Sequence, residues 1–249
     1  MLPLFKSHYS IGKSILTLED PSSTREDGPQ SVFDIAAKQK QIVLVEDSLI
    51  GFLQAQKNAE KLGMQLIFGL RISCSHEKVV DKKSDCLHKI IIFAKNDSGC
   101  KLLNQIYSKA HCENDGVINN LALKNLWSED SLSLYIPFYD SFIFMNNYNF
   151  CSCVPDFSFC QPKFFIENNH LPFDHDLTEK IKSYCSSNKY SFEYAKSIYY
   201  KDRDDFSAYQ TYKCICSKKF KQRTLQVPNF DHLASPEFCY ESYLEHESS

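Results

Sequence analysis

The chain has 249 residues, of which 43% are hydrophobic and 24% charged, and its formal net charge is −3. This length suits one α/β domain or at most two small ones. The near-neutral charge argues against non-specific nucleic-acid binding by the whole surface, although it leaves room for a local basic patch. The odd number of cysteines and the absence of a secretory leader predict a cytoplasmic protein with free thiols. The lack of an apolar run of about 18 residues predicts no membrane partner.

The first quarter of the chain alternates between apolar runs and helical periodicity. Leu2–Phe5 is predicted as a short buried strand, and the turn-rich residues 18–31 as an exposed loop. Ser31 is placed to cap a helix that starts directly after it. The apolar run Gln41–Glu46 predicts a buried parallel strand, and the following stretch predicts a helix that ends at Gly63.

The rest of the chain continues the alternation. Further strands are predicted at 64–72, 88–96, 132–138, 141–147, 162–168 and 190–196, and helices at 98–111, 174–188 and 203–216. Residues 241–249 read as a polar tail. Repeated alternation with short connections predicts a mostly parallel α/β sheet or barrel, in one domain over residues 1–240.

Two short motifs could indicate phosphate or nucleic-acid binding. Gly12-Lys13-Ser14 matches the end of a phosphate-binding loop, but Ser7 stands where that loop requires a glycine. The match is therefore interpreted as incidental. The basic stretch KKFKQR at 218–223 could hold a nucleic-acid backbone beside a stacking ring, and a solvated loop is the alternative.

A cysteine-rich segment raises the question of zinc. It contains Cys151, Cys153 and Cys160, with His170 and His175 nearby. Structural zinc sites usually use cysteine pairs separated by two to four residues, and a Cys-x-Cys pair is a poor match. Small thiols in a reducing compartment are the simpler interpretation.

In parallel α/β folds, the active-site residues lie at the carboxyl ends of the strands. Six polar segments follow the predicted strands and are the places to look for a site: Lys6–His8, Glu46–Ser48, Arg71–Ser73, Asn96–Asp97, Phe138–Asp140 and Lys196–Tyr199.

The order of the motifs resembles a known family. SHYS at 7–10 is similar to an opening His-x-His-x-His-Ser-x-Tyr-Ser, and residues 90–110, IIIFAKNDSGCKLLNQIYSKA, are similar to LLAKNxxGYxNLxxLxSxA. Residues 45–72, 162–184 and 199–215 also have counterparts. The family is the N-terminal PHP (polymerase and histidinol phosphatase) domain of the bacterial DNA polymerase III α subunit, and the resemblance runs almost end to end.

The resemblance implies a distorted (β/α)7 barrel and, in members with an intact site, a metal cluster that hydrolyses phosphoesters. The family's metal-ligand positions fall here on residues that mostly cannot bind a metal: Leu2, Leu4, Lys6, Val45, Glu46, Arg71, Ser197 and Tyr199. Aliphatic side chains have no lone pair, and lysine and arginine are cations. The expectation is that no metal cofactor is bound and that the enzyme activity is lost.

The leading functional hypothesis is therefore a catalytically inactive PHP-like domain that serves as a scaffold or interaction module in DNA replication. Its expected partners are a polymerase core or a proofreading exonuclease, as the resemblance implies.

Two alternatives stay open. His8, Glu46 and Asp47 could form a reduced site for one zinc, manganese or magnesium ion in a phosphoesterase or 3′–5′ exonuclease. Lys6 and Arg71 could instead bind phosphate or a nucleic-acid backbone without chemistry, or form an internal salt bridge, for example with Glu46.

Overall fold

The computed structural model describes residues 1–25, 27–75, 87–216 and 235–247. The strands are β1 Leu2–Phe5, β2 Gln41–Glu46, β3 Gln65–Ser75, β4 His88–Ala94, β5 Val117–Asn119, β6 Leu132–Ile136, β7 Lys163–Ile166 and β8 Ser191–Ile198. The helices are α1 Val32–Ile35, α2 Phe52–Lys61, α3 Asp97–Glu113, α4 Asn120–Leu126, α5 Phe142–Tyr148, α6 Asp174–Asn188, α7 Phe206–Cys216 and α8 Tyr240–Glu247.

Seven of the strands close into a barrel. Their order is β2-β1-β8-β7-β6-β4-β3, and pairing between β2 and β3 completes the ring. β5 extends the sheet from the outer part of β3. Most neighbours in the ring are parallel, but β4 runs antiparallel to both β3 and β6. The fold is thus a mixed α/β fold with a closed seven-stranded barrel and helices around it.

The barrel interior is packed with apolar side chains. They come from alternate positions of the strands, as expected when one face of each strand points inward. The cluster consists of Leu4, Val43, Val45, Ile91, Phe93, Phe165 and Ala195. A Cβ at Gly69 would come within 2.5 Å of the Phe93 ring, so a glycine is needed where that ring crosses the interior.

A second and larger core lies between the barrel and its helices. α2 shows how a helix covers the barrel: Ala55 and Ala59, one turn apart, are its buried positions and belong to the same cluster as Leu44 of β2. Small residues at this spacing let the helix approach the strands closely.

The described structure departs from the predicted regular alternation of strands and helices. In the sheet, which was predicted to be mostly parallel, β4 is antiparallel to both of its neighbours. The segment 141–147, predicted as a strand, forms helix α5 instead, because Ser141 caps it by accepting a hydrogen bond from the Phe144 amide at 3.2 Å. β5 and α4 had not been predicted, and α1 is only four residues long.

The C-terminal prediction was also wrong. The polar tail predicted at 241–249 is, up to Glu247, helix α8. The sequence there looks polar, but Tyr240 and Tyr243 are buried and their rings stack with centroids 5.5 Å apart. Because Tyr240 and Tyr243 are three positions apart, they lie on the same face of the helix and pack it against the large core cluster.

Four further predictions concern an exposed loop, the cysteines, the basic motif and membrane-spanning segments. Among the described residues of the loop 18–31, Leu18 and Ser31 at its two ends are buried and the others are exposed or half-exposed. Nine described cysteines are free, whereas Cys151 is disulfide-bonded, contrary to the expectation of free thiols throughout. The basic motif at 218–223 lies outside the described residues. Within the described ranges, none of the helices has the length and hydrophobicity required to cross a bilayer.

Candidate functional site

A cavity of about 340 Å³ lies at the end of the barrel where the parallel strands finish. Four of the six polar strand ends predicted from the sequence contribute residues to its lining. The cavity is lined by Leu4, Phe5, Lys6, Lys13, Val45, Arg71, Ile91, Pro137, Tyr139, Asp140, Phe144, Asn149, Phe165, Glu167, Ser197, Tyr199 and Phe238. We call this the mouth cavity.

One half of the mouth carries a chain of ion pairs. Lys6 follows β1, and its Nζ donates to Asp47 Oδ1 at 2.8 Å. Arg71 of β3 lies 3.6 Å from the same oxygen and donates to Asp140 Oδ2 at 2.5 Å. Lys6 and Arg71, the predicted phosphate-binding residues, are therefore brought together, but the carboxylate between them is Asp47 rather than Glu46.

Burial governs the electrostatics of this half. Burial lowers the pKa of Lys6, and the charge of Asp47 opposes that effect. Burial alone would raise the pKa of Asp47, but Lys6 and Arg71 outweigh it and hold the pKa of that carboxyl below its usual range. The Asp47 carboxylate is consequently ionised at neutral pH, and it partly neutralises two cations that are mostly shielded from water.

Two further lysines stand at the same half of the mouth. Lys89, at the start of β4, donates to Ser73 Oγ at 2.7 Å. Burial and the nearby Arg71 lower its pKa to about 8. Lys13 lines the cavity from the loop after β1, is half-exposed, and forms no ion pair with any described residue.

The sequence did not predict either lysine as a site residue. Lys89 was missed because the site was sought at the carboxyl ends of the predicted strands, whereas the antiparallel direction of β4 brings its first residues to the mouth. Asn96 and Asp97, expected at the mouth, instead cap and begin α3. Lys13 had been set aside as part of an incidental Gly-Lys-Ser.

The opposite half of the mouth, formed by β6, β7 and β8, is aromatic and hydrogen-bonding. Glu167 is buried and accepts hydrogen bonds from the Ser197 amide and hydroxyl, both at 2.9 Å. Burial raises the pKa of Glu167, and the Ser197 donors offset part of this. Tyr199 stacks on Phe238 with ring centroids 5.4 Å apart. Six aromatic residues line the cavity as a whole: Phe5, Tyr139, Phe144, Phe165, Tyr199 and Phe238.

The residues of the proposed reduced metal site are occupied with other contacts. Glu46 is fully buried and accepts from the Ser7 amide at 2.8 Å and from the Ser10 hydroxyl. His8 Nδ1 lies 3.2 Å from the Leu16 carbonyl oxygen. Neither Glu46 nor His8 is among the residues that line the cavity. The structure thus gives Glu46 a role in fixing the loop after β1.

The family's metal-ligand positions do not fit a divalent ion here. Leu4 and Val45 belong to the apolar interior, and Lys6 and Arg71 place two positive charges at the mouth. A divalent cation at this place would be repelled by both charges, and the carboxylates of Asp47 and Asp140 are already engaged by them. Within the described ranges, no group of three or more His, Cys, Asp or Glu side chains is placed to hold a metal.

The cysteine-rich segment has a different arrangement from a zinc knuckle. Cys153 is buried with its Sγ 3.7 Å from His88 Nδ1, and Cys160 is buried in the outer core. His170 is exposed. The side chains considered as a zinc set are therefore separated between the core and the surface.

Comparison with known proteins adds no assignment. No protein-family model matches this chain, and no curated protein matches it.

Proposed function

We propose that this chain is a PHP-like barrel without metal-dependent phosphoesterase activity and that it acts as a scaffold or interaction module in DNA replication. The single observation that carries the loss of activity is the ion-paired chain Lys6–Asp47–Arg71–Asp140 at the mouth. The closed seven-stranded barrel, with its mostly parallel strands, and the motifs at 7–10 and 90–110 support the family resemblance.

The chemistry of the lost site explains why the ion pairs carry this proposal. A metal-dependent phosphoesterase needs anionic or imidazole ligands that hold the ions which generate hydroxide and neutralise the phosphate. In this chain, Lys6 and Arg71 bind Asp47 in the region that the resemblance assigns to the metal ions. Ion pairs therefore take the place of metal coordination in our proposal.

Exposed apolar side chains support an interaction role. Ile11, Ile50, Leu53 and Ile215 are each more than two-thirds exposed. Contacts bring their segments together: a Cβ at Gly12 would lie 3.0 Å from Cys216, and a Cβ at Gly51 would lie 2.8 Å from the Tyr9 ring. Neighbouring exposed apolar residues are typical of protein–protein contact surfaces.

The direct test is a pull-down with the replicative polymerase, sliding clamp and proofreading exonuclease of the source organism. The proposal expects capture of the polymerase or exonuclease, weakened when Ile11 and Ile50 are changed to Glu. Leu121→Glu, which alters a residue that is also exposed but lies on α4, is the matched control and should leave capture unchanged. Failure to capture either protein would remove the replication role.

Metal content and activity test the other half of the proposal. Purified protein should contain no stoichiometric zinc or manganese by elemental analysis and should not hydrolyse a phosphomonoester or single-stranded DNA with added manganese. Activity that is lost in Glu46→Ala or Asp47→Ala would instead support the rebuilt phosphoesterase. That alternative has less support, because Glu46 and Asp47 are both engaged by protein donors.

A further inference from the structure

The mouth cavity is divided into a charged half and an aromatic half. β1, β2, β3 and β4 are contiguous in the ring and carry, at or just after their mouth ends, the charged residues Lys6, Asp47, Arg71 and Lys89. β6, β7 and β8 form the other side and contribute the rings of Tyr139, Phe165 and Tyr199. A cavity of this kind suits a ligand with one anionic end and one aromatic or apolar end.

Four cations gather in the charged half of the mouth: Lys6, Lys13, Arg71 and Lys89. Asp47 forms ion pairs with Lys6 and Arg71, Asp140 pairs with Arg71, and the buried Glu46 acts on Lys6 through its charge. Glu167 lies on the other half and is held by Ser197. Lys13 lines the cavity and forms no ion pair with a described carboxylate, so its ammonium group can take an anionic ligand.

Asp140 differs from Asp47 in a way that matters for binding. Asp47 has 26% of its side chain exposed and contacts two cations, whereas Asp140 has 55% exposed and, among the described residues, forms an ion pair with Arg71 only. Because water reaches the Asp140 carboxylate, breaking its pair with Arg71 costs less than breaking a buried ion pair. A ligand anion can therefore compete with Asp140 for the Arg71 guanidinium.

We propose that the mouth cavity binds a small aromatic anion, a phosphate monoester or a carboxylate, and that the ligand's anionic group displaces Asp140 from Arg71. Lys13 and the freed face of Arg71 contact the anionic group, while the rings of Phe144, Phe165 and Phe238 contact the aromatic body. Asp140 is an internal competitor that occupies the anion position when no ligand is bound. This site does not depend on a role in replication.

The test uses the full chain and isothermal titration calorimetry at low salt with four probes: phenyl phosphate, benzoate, inorganic phosphate and phenol. Phenyl phosphate or benzoate should bind more tightly than inorganic phosphate and phenol, and whichever of the two is tighter identifies the anionic group. Binding of the tighter of these two anions should weaken as the salt concentration is raised. Equal binding of phenol would overturn the anion site, and equal binding of inorganic phosphate would overturn the aromatic half.

A substitution at Lys13 tests the cation at the cavity wall. Lys13→Gln, at a half-exposed residue with no ion pair to a described residue, should weaken binding of the preferred probe about fivefold to tenfold. Lys57→Gln, at an exposed lysine on α2, is the matched control and should have no effect.

Asp140→Asn is the decisive variant, because it removes the internal competitor and keeps the shape of the side chain. It should tighten binding about threefold or more. Asp204→Asn makes the same change of charge at an exposed aspartate elsewhere and should leave affinity unchanged. Unchanged or weaker binding in Asp140→Asn, in a protein with the thermal stability of wild type, would show that Asp140 is a fixed structural partner and would overturn the displacement.

Discussion

At the scale of single residues, the mouth is organised by Asp47. Its Oδ1 lies beside two cations, Lys6 directly after β1 and Arg71 on β3, and the loop after β2 places it there. The sequence argument had put Val45 and Glu46 at the family's ligand positions. The alternation of side chains along β2 explains the difference: Val43 and Val45 point into the barrel, so the next inward position is Asp47.

Asp47→Asn should therefore be strongly destabilising, because it leaves two buried cations without their shared anion. We expect a loss of about 3–5 kcal/mol in the free energy of unfolding, measured by urea denaturation at pH 7. Asp204→Asn, at an exposed position, should change stability little. An exposed ion pair usually contributes about 1 kcal/mol or less to the free energy of unfolding. A loss below that value in Asp47→Asn would contradict the role of Asp47 as the shared anion of Lys6 and Arg71.

The pH dependence of the same variant gives an independent check. Because the pKa of Asp47 is lower in the folded protein than its ordinary value of 3.8, its stabilising effect is complete above that value and is lost as the pH falls below it. Wild type should lose stability on acidification more steeply than Asp47→Asn. If the free energy of unfolding depends on pH in the same way in both proteins, the Asp47 carboxyl does not have the lowered pKa assigned to it.

Lys89 should titrate with a pKa of about 8, since it is buried beside Arg71. Replacing Arg71 by Gln removes one nearby cation and should move the titration to higher pH. NMR of ¹³C-methylated lysines can follow this signal. The Lys163 signal is the internal control: its pKa is raised by its hydrogen bond to Glu193 at 2.9 Å, on strands β7 and β8, and should not respond to Arg71.

At the level of helices and strands, α5 forms because its N-terminal cap outweighs an apolar pattern that predicts a strand. The run at 141–147 is rich in Phe and Ile and predicts a strand, but it follows Pro137 and begins with Ser141, whose hydroxyl accepts from the Phe144 amide. A strand here would also have no free edge, because β6 already pairs with β4 and β7 in the closed ring.

Ser141→Ala should cost about 1 kcal/mol of stability through the lost cap, measured by urea unfolding. Ser183→Ala, at an exposed serine within α6, should cost much less. If both substitutions have the same effect, the cap is not what fixes α5 as a helix.

Helix α8 should behave as part of the fold, although its sequence reads as a tail. Tyr243→Ala empties a buried position and is expected to cost about 3–5 kcal/mol. Leu121→Ala, at a leucine that is 60% exposed, should stay within about 0.5 kcal/mol. Thermal or urea denaturation measures both, and an unchanged Tyr243→Ala protein would restore the prediction of a tail.

At the scale of the whole molecule, closure of the barrel rests on strand pairing and on the apolar interior, with ion pairs at the mouth. Nothing in this arrangement among the described residues calls for a metal ion. Treatment with EDTA should accordingly leave the midpoint of thermal unfolding unchanged, and added zinc or manganese should not raise it. A midpoint that rises with metal concentration would reveal binding to the folded state and would contradict the proposed loss of the metal site.

Most strands and the long helices could be predicted from the sequence, because apolar runs and helical periodicity are local signals. β2 and α6 lie at the residues predicted, and Lys6 and Arg71 were identified as cations that meet at one end of the strands. Three features became visible only in the folded barrel: the direction of β4, which brings Lys89 to the mouth, the pairing of Lys6 with Asp47 instead of Glu46, and the position of Lys13 at the cavity wall. Strand direction and side-chain partners depend on contacts between residues far apart in the chain, and a local sequence pattern carries no information about those contacts.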